Sequence, residues 1–121
     1  MAFDLYGQNP SSKIGLCYRI NIWKWHELWN FIKFLDKSLF PDLEFWHTND
    51  MELVDNEYVL KAYNELSSSI DDGTISKKLN NFHLQYGRMS YMSVSGYRPL
   101  SEIDIEIFCL FLKDCGGFRI G

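Results

Sequence analysis

No run of apolar residues in this 121-residue chain approaches the roughly 18 that a membrane-spanning helix needs, so no membrane association of that kind is expected. The opening, MAFDLYGQNP, lacks the positive start and long apolar stretch of a secretory signal, which makes the cytoplasm the expected location. Cysteine is scarce and poorly placed: Cys17, Cys109 and Cys115 form an odd set with no C-x-x-C and no Cys/His cluster at zinc-ligand spacing. Reduced, mostly buried thiols are expected, with neither metal nor cofactor. Phosphate-cradling loops are missing, since neither GxGxxG nor GxxxxGK(S/T) occurs, and Gly116-Gly117 closes a helical pattern rather than opening one. The SVSG at 93–96 lacks the first glycine of a nucleophile elbow. Basic charge is also short. Twelve Lys and Arg against sixteen Asp and Glu give a net charge of −4, which disfavours binding to nucleic-acid phosphates. Lys77, Lys78, Arg88 and Arg98 make only a thin basic patch, so duplex DNA is not an expected partner.

What the chain has in quantity is apolar and aromatic side chains, 46% and 17% of residues, far too many for a disordered chain. Its length suits one domain, residues 1–121, with a single core. The richest stretch is Arg19 to Phe40, where Trp25, Leu28, Trp29, Ile32, Leu35 and Leu39 recur at helical intervals. A helix is expected to start near Trp25 or His26, after an extended Leu16–Trp23, and to stop before Pro41. Leu43, Phe45 or Trp46 should anchor the loop that follows. Asp55 is a good N-cap for a second helix, with Val54 and Val59 placed as a hydrophobic staple. Val59, Ala62, Tyr63, Leu66 and Ile70 form its inward stripe, and Gly73 its left-handed stop. Ile75, Leu79, Phe82 and Tyr86 mark a third helix ending at Gly87. Residues 88–99 read as extended or loop. Ser101 and Asp104 form a capping-box pair for a fourth helix whose seven apolar residues between Ile103 and Leu112 should leave only a Glu102, Glu106, Lys113 edge wet. FDLYG and FRI at the two ends read as short strands that pair. The expected fold is therefore mainly α within the α+β class: a single-domain four-helix bundle with a small β-ribbon joining the N- and C-terminal strands.

The segments FDLYGQNP and LCYRINIWKWHELWNF resemble a family of small bacterial and phage proteins. These begin with D-(L/V)-Y-G-x-x-P and continue with Y-F-R-x-N-x-W-x-W-R-P-L-W. NDMELVDNEYVLKAYNELSSSIDDG is similar to the family's Asn-Asp-Gly stretch and amphipathic helix, and FLKDCGGFRI to its terminal GGF segment, so the resemblance spans roughly two-thirds of the chain. The family's Arg-Pro is replaced here by His26-Glu27, and a Cys-rich CxxCxGxG insertion of many members is absent. Alignment of the family's proline with Glu27 implies a helix start near His26. The resemblance implies no established activity.

Five residues are candidates for a binding site: Arg19, Trp23, His26, Trp46 and Asp50. Arg19, among aromatics, can clamp a carboxylate or phosphate, stack on Trp23 or Tyr18, or pair with Asp4. Trp25 and Trp29 have core spacing, whereas Trp23 lies on the other face and is the better exposed anchor. His26, His47 and His83 are scattered, with His26 near Arg19 and His47 beside Asp50, and the sequence lacks the nucleophile–base pairing that catalysis by any of them requires. No catalytic residue is assigned, and the reading leans away from an enzyme.

Charge is unevenly spread. Between Asp42 and Asp72 stand nine acids against Lys61, a segment of −8 in a chain of −4, so the remainder carries +4. This stretch is either a solvated helix with its flanking loops or an attraction for a basic partner. The expected function is accordingly that of a non-enzymatic cytoplasmic protein acting through protein–protein contact, such as a phage or mobile-element accessory or inhibitor protein. The alternative is a small-molecule or nucleotide-binding domain, an enzyme among the options, with a pocket near Arg19, Trp23, His26 and Trp46.

Overall fold

Alternation in the first strand fixes which way the sheet faces. In the computed structural model, which describes residues 2–44, 46–48, 52–86 and 98–121, β1 (Ala2–Gly7) buries Phe3 and Leu5. Asp4 and Tyr6 point to the other side, as a period of two requires. β2 (Cys17–Asn21) pairs antiparallel with β1, setting Ile20 beside Phe3 and Tyr18 beside Leu5. β4 (Phe118–Ile120) pairs with the other edge of β1, Leu5 opposite Ile120, and β3 (Glu52–Val54) completes the sheet by pairing with β4. The order is β2-β1-β4-β3, antiparallel throughout. Phe3, Leu5, Ile20, Val54, Phe118 and Ile120 share the buried face.

The two terminal strands do pair, but as the middle of a four-stranded sheet rather than as an isolated ribbon on a helical bundle. A lone two-stranded ribbon is marginal in water and covers little apolar surface. Recruiting Ile20 on one side and Val54 on the other extends one apolar face wide enough to carry helices. The fold is α+β: α1 (Ile22–Leu35) and α4 (Glu102–Cys115) contact the sheet, the most extensive helix pairing is α2 (Asn56–Asp71) on α4, and α3 (Ile75–Tyr86) touches all three other helices. Among the described residues no helix is long and apolar enough to cross a membrane.

Each helix end has a local cause. α1 starts at Ile22, three or four residues earlier than its tryptophan stripe suggests, because the Asn21 side chain accepts from the Lys24 N–H at 2.9 Å. It stops at Leu35, where the Asp36 carboxylate turns back to bond Ser38 N–H and Oγ, well ahead of Pro41. Trp25, Leu28, Trp29 and Ile32 are buried as their spacing demands, Leu35 is half-buried, and Leu39 is buried beyond the helix. α2 begins after Asp55, whose carbonyl, not its side chain, accepts from Tyr58 and Val59. Val59, Ala62 and Leu66 are buried, Tyr63 and Ile70 partly so, and Gly73 adopts φ 77°. In α3, Ile75, Leu79 and Phe82 face inward while Tyr86 is exposed. Ser101 and Asp104 form the full capping box of α4, and Gly116, at φ 67°, ends it. Most of residues 88–99, including the SVSG stretch, lie outside the described residues.

At the centre, Trp25 is fully buried with edge contacts to Trp29, Phe108 and Phe118 at centroid distances of 5.6, 6.3 and 6.2 Å. The 8–16 connection is strapped to the end of α4: Asn9 N–H donates to Cys115 O, Ser11 N–H to Asp114 O, and Ser12 Oγ to the Asp114 carboxylate at 2.7 Å. A β-carbon on Gly15 would sit 2.1 Å from Asp114 O, so only glycine permits that approach.

Candidate functional site

The residues singled out in the sequence do not surround one concavity. Arg19 lies on the solvent face of the sheet, its side chain 72% exposed and Nη1 3.4 Å from Asp4 Oδ1. Of its three possible roles the structure therefore contains the Asp4 pair, a surface contact worth at most about 1 kcal/mol. Trp23 sits in the first turn of α1 and is 39% exposed. His26 and Trp46 do meet, with ring centroids 5.0 Å apart, and His47 lies 6.1 Å from His26. Burial, and then the neighbouring His47, hold the His26 pKa below its usual value, so its ring is neutral at pH 7. Asp50 and Phe45 lie outside the described residues.

Trp46 is fixed from two directions. Its carbonyl accepts from Trp25 Nε1 at 2.7 Å, and its ring lies parallel on Trp29, 5.2 Å between centroids. Beside this stack is an open cleft of about 450 Å³, lined by Trp29, Trp46, Asn30, Lys33 and the 41–44 segment. Neither Arg19, Trp23 nor His26 lines it. Lys33 is already committed: its ammonium donates to Phe40 O at 3.0 Å and to the Asp42 carboxylate, and this bond holds the Asp42 pKa below the usual range. The cleft thus offers the indole of Trp46, backed by the buried Trp29, beside a neutralised ion pair, and among its described lining residues there is no nucleophile. Among the described residues no group of three or more His, Cys, Asp or Glu is placed to hold a metal ion.

A second surface was not expected. Ile103, Ile107 and Leu110, one helical stripe of α4, are 65%, 48% and 52% exposed, although the apolar arc of this helix suggested that only its charged edge would be wet. The sheet takes Phe108 and Phe111, which meet Tyr18 of β2 and Phe118 of β4, and Ile105 and Leu112 are fully buried. The arc is wider than the surface available to cover it. Beside Leu110 runs a shallow groove of about 270 Å³ between α2 and α4, with Tyr63, Ile70 and Cys109 as its apolar lining and Asp71, Glu106 and Lys113 at its rim. Burial, then the Asp71 charge, push the Cys109 thiol up to about 11, so it is a small apolar surface and no nucleophile. At the other end of the stripe, Lys24 Nζ donates to Asp104 at 2.7 Å and joins the first turns of α1 and α4. Trp23 and Ile103, the residues just before that pair, therefore belong to the same end of the molecule.

The stripe was visible in the sequence as Ile103, Ile107 and Leu110 at i, i+4 and i+7, flanked by Glu102 and Glu106. What was missing was any indication of which apolar positions the sheet and α2 would leave over. Comparison with protein-family models, with curated proteins and with solved structures finds no match.

Proposed function

We propose that this chain is a cytoplasmic, non-enzymatic binding protein whose working surface is the α2–α4 face, and that it takes a partner segment with an apolar ridge flanked by Lys or Arg. One observation carries the reading: three large aliphatic side chains stand exposed in register on α4 beside an apolar groove. Such a stripe is the surface into which an amphipathic helix packs. The sign of the partner's charge follows from the rim. Glu102 and Glu106 border the stripe on α4, and Asp71 of α2 stands at the groove rim, against the single base Lys113. Three acids and one base around an apolar strip favour a basic flank over an acidic one. An accessory or inhibitory role in a phage or mobile element is compatible with this design and with the family resemblance.

The test uses two designed helical peptides of equal apolar content, one with Lys and one with Glu flanks, titrated calorimetrically against the wild-type protein and against Ile107→Ser/Leu110→Ser. The expected result is binding of the Lys peptide alone, weakened by salt and lost in the double variant. Equal binding of both peptides, or an unchanged affinity in the variant, would refute the reading. Self-association through this face, seen as a dimer in sedimentation that the double variant abolishes, would replace the basic partner with a second copy.

A small-molecule reading retains one supporting feature, the Trp29–Trp46 cleft, which is large enough for a planar ring. It is narrower than the sequence suggested, because Arg19, Trp23 and His26 are not in its lining. Quenching of indole emission by a nucleotide, abolished by Trp46→Ala, is its expected signature.

A further inference from the structure

Among the described residues Glu27 is the one carboxylate that the fold buries, 2% exposed on the inner side of α1. Its Oε1 accepts from the Leu100 N–H at 3.1 Å. The Leu100 carbonyl is held in turn by His83 Nε2 of α3 at 2.9 Å. A carbonyl oxygen can only accept, so Nε2 must carry hydrogen, and the other ring nitrogen is left to face Glu27. His83 Nδ1 stands 3.7 Å from Glu27 Oε2, buried and without a hydrogen-bond partner. A water cannot bridge them, because two acceptors of one water stand about 4.4 Å apart. With the carboxylate ionised and the imidazole neutral, two lone pairs would confront each other at low dielectric. One proton on either atom turns that repulsion into a hydrogen bond.

We propose that Glu27 and His83 share a single proton, and that this proton closes a pH-sensitive latch holding both backbone groups of Leu100 and, through it, the start of α4. The proton has two equivalent homes. On Nδ1 it makes an imidazolium–carboxylate pair, and on Oε2 a neutral acid donating to Nδ1; in both states Leu100 keeps its two bonds. The charged groups that act on the site are few. Lys24, three residues earlier on α1, and Asp104 of α4 both bear on Glu27 and are bonded to one another. On the α2 side of α3, Lys78 is taken by Ser69 and Glu65.

Burial raises the Glu27 pKa, while the Leu100 bond and the nearby His83 lower it, and the net direction is upward from 4.5. The sign follows. A raised folded-state pKa means that this contribution to stability is whole below 4.5 and is lost as pH rises through the raised value. The latch is closed in acid and loosens toward alkaline pH, whatever α4 binds. Leu100 is followed directly by the N-cap Ser101, so loosening is felt first in the α4 turn that carries Ile103.

The test is amide hydrogen exchange at Leu100, corrected for intrinsic rates, together with NMR titration of the His83 ring. In wild type the Leu100 protection should fall by up to about tenfold per pH unit above the pair's apparent pKa, since one proton is involved. Glu27→Gln supplies the missing hydrogen permanently: its carbonyl still accepts from Leu100 and its NH₂ donates to Nδ1. That variant should stay folded with Leu100 protection flat in pH. His83→Phe should leave Leu100 weakly protected at every pH. Retention of the wild-type pH dependence in Glu27→Gln would overturn the proposal. So would a His83 titration that leaves Leu100 exchange unmoved, a result that needs no variant to fold.

Discussion

The face assignment of α4 can be tested by two truncations five residues apart. Phe108 is fully buried and its ring lies within 5.4 Å of Tyr18 and 6.2–6.4 Å of Trp25, Phe111 and Phe118, counting between centroids. Phe108→Ala removes a complete aromatic payload and leaves a cavity that four rings cannot readily close, so the cost should be about 4 kcal/mol. Ile103→Ala removes three carbons at about 0.8 kcal/mol each, but the residue is 65% exposed, so only a third of that burial is lost, about 0.8 kcal/mol. Alanine's better helix propensity returns a few tenths and leaves about 0.5 kcal/mol. In urea, at about 2 kcal/mol per molar, the first variant should unfold about 2 M earlier than wild type and the second within about 0.3 M. Far-ultraviolet circular dichroism at low protein concentration is the suitable readout, because the indole of Trp25 is itself a neighbour of Phe108. An Ile103→Ala cost above about 2 kcal/mol would mean that the stripe is buried in the monomer and would remove the basis for a docking face. A Phe108→Ala cost below about 1.5 kcal/mol would show that the aromatic centre is misplaced.

Three further outcomes follow from particular contacts. Gly116→Ala should destabilise by about 2 kcal/mol or more, since it combines a left-handed φ with a β-carbon 2.6 Å from Asn9 O. Gly73→Ala, left-handed but in open space, should cost only about 1 kcal/mol, and thermal unfolding of the pair separates the two terms. Burial tends to raise the Asp104 carboxyl, but the Lys24 and Ser101 bonds outweigh it and hold the folded pKa below 3.8, so its contribution to stability is present above 3.8 and lost as pH falls through the depressed value. Lys24→Met should therefore shift acid unfolding to higher pH. Thiol labelling of the native protein at neutral pH should modify the exposed Cys17 and spare Cys109 and Cys115, which burial keeps protonated with pKa values of about 11; equal labelling of all three would contradict the described core.

Features carried by one turn of chain were readable in advance. The capping box at Ser101 and Asp104, the left-handed Gly73 and the inward stripes of α2 and α3 are consequences of neighbours within four residues, and they stand where their spacing put them except at Tyr86, which ends the α3 stripe exposed. The sheet was less legible. The pairing of residues 118–120 with the first strand was legible, but residues 52–54 are too short to show alternation, and their pairing with β4 is settled only by which apolar face the helices need covered. The early start of α1 was hidden by the β-branched and aromatic run around it, although Asn21 carried the signal. Periodicity counted the apolar positions of α4 correctly but could not say how many the rest of the chain would reach. The buried Glu27 acquires its meaning from a backbone group 73 positions away, and no local spacing announces such a partner.

The place of β4 in the sheet has a consequence for synthesis on the ribosome. Hydrogen bonds connect β3 to the remainder of the sheet only through β4, and β1 has β4 as its second neighbour. Until residues 118–120 have left the exit tunnel, the nascent chain can zip β1 to β2 but must leave one flank of β1 and the whole of β3 open. Those bare edges are what a chaperone, or another unfinished copy, would meet first. The emergence of residues 118–120 therefore sets the moment at which these edges stop being sticky.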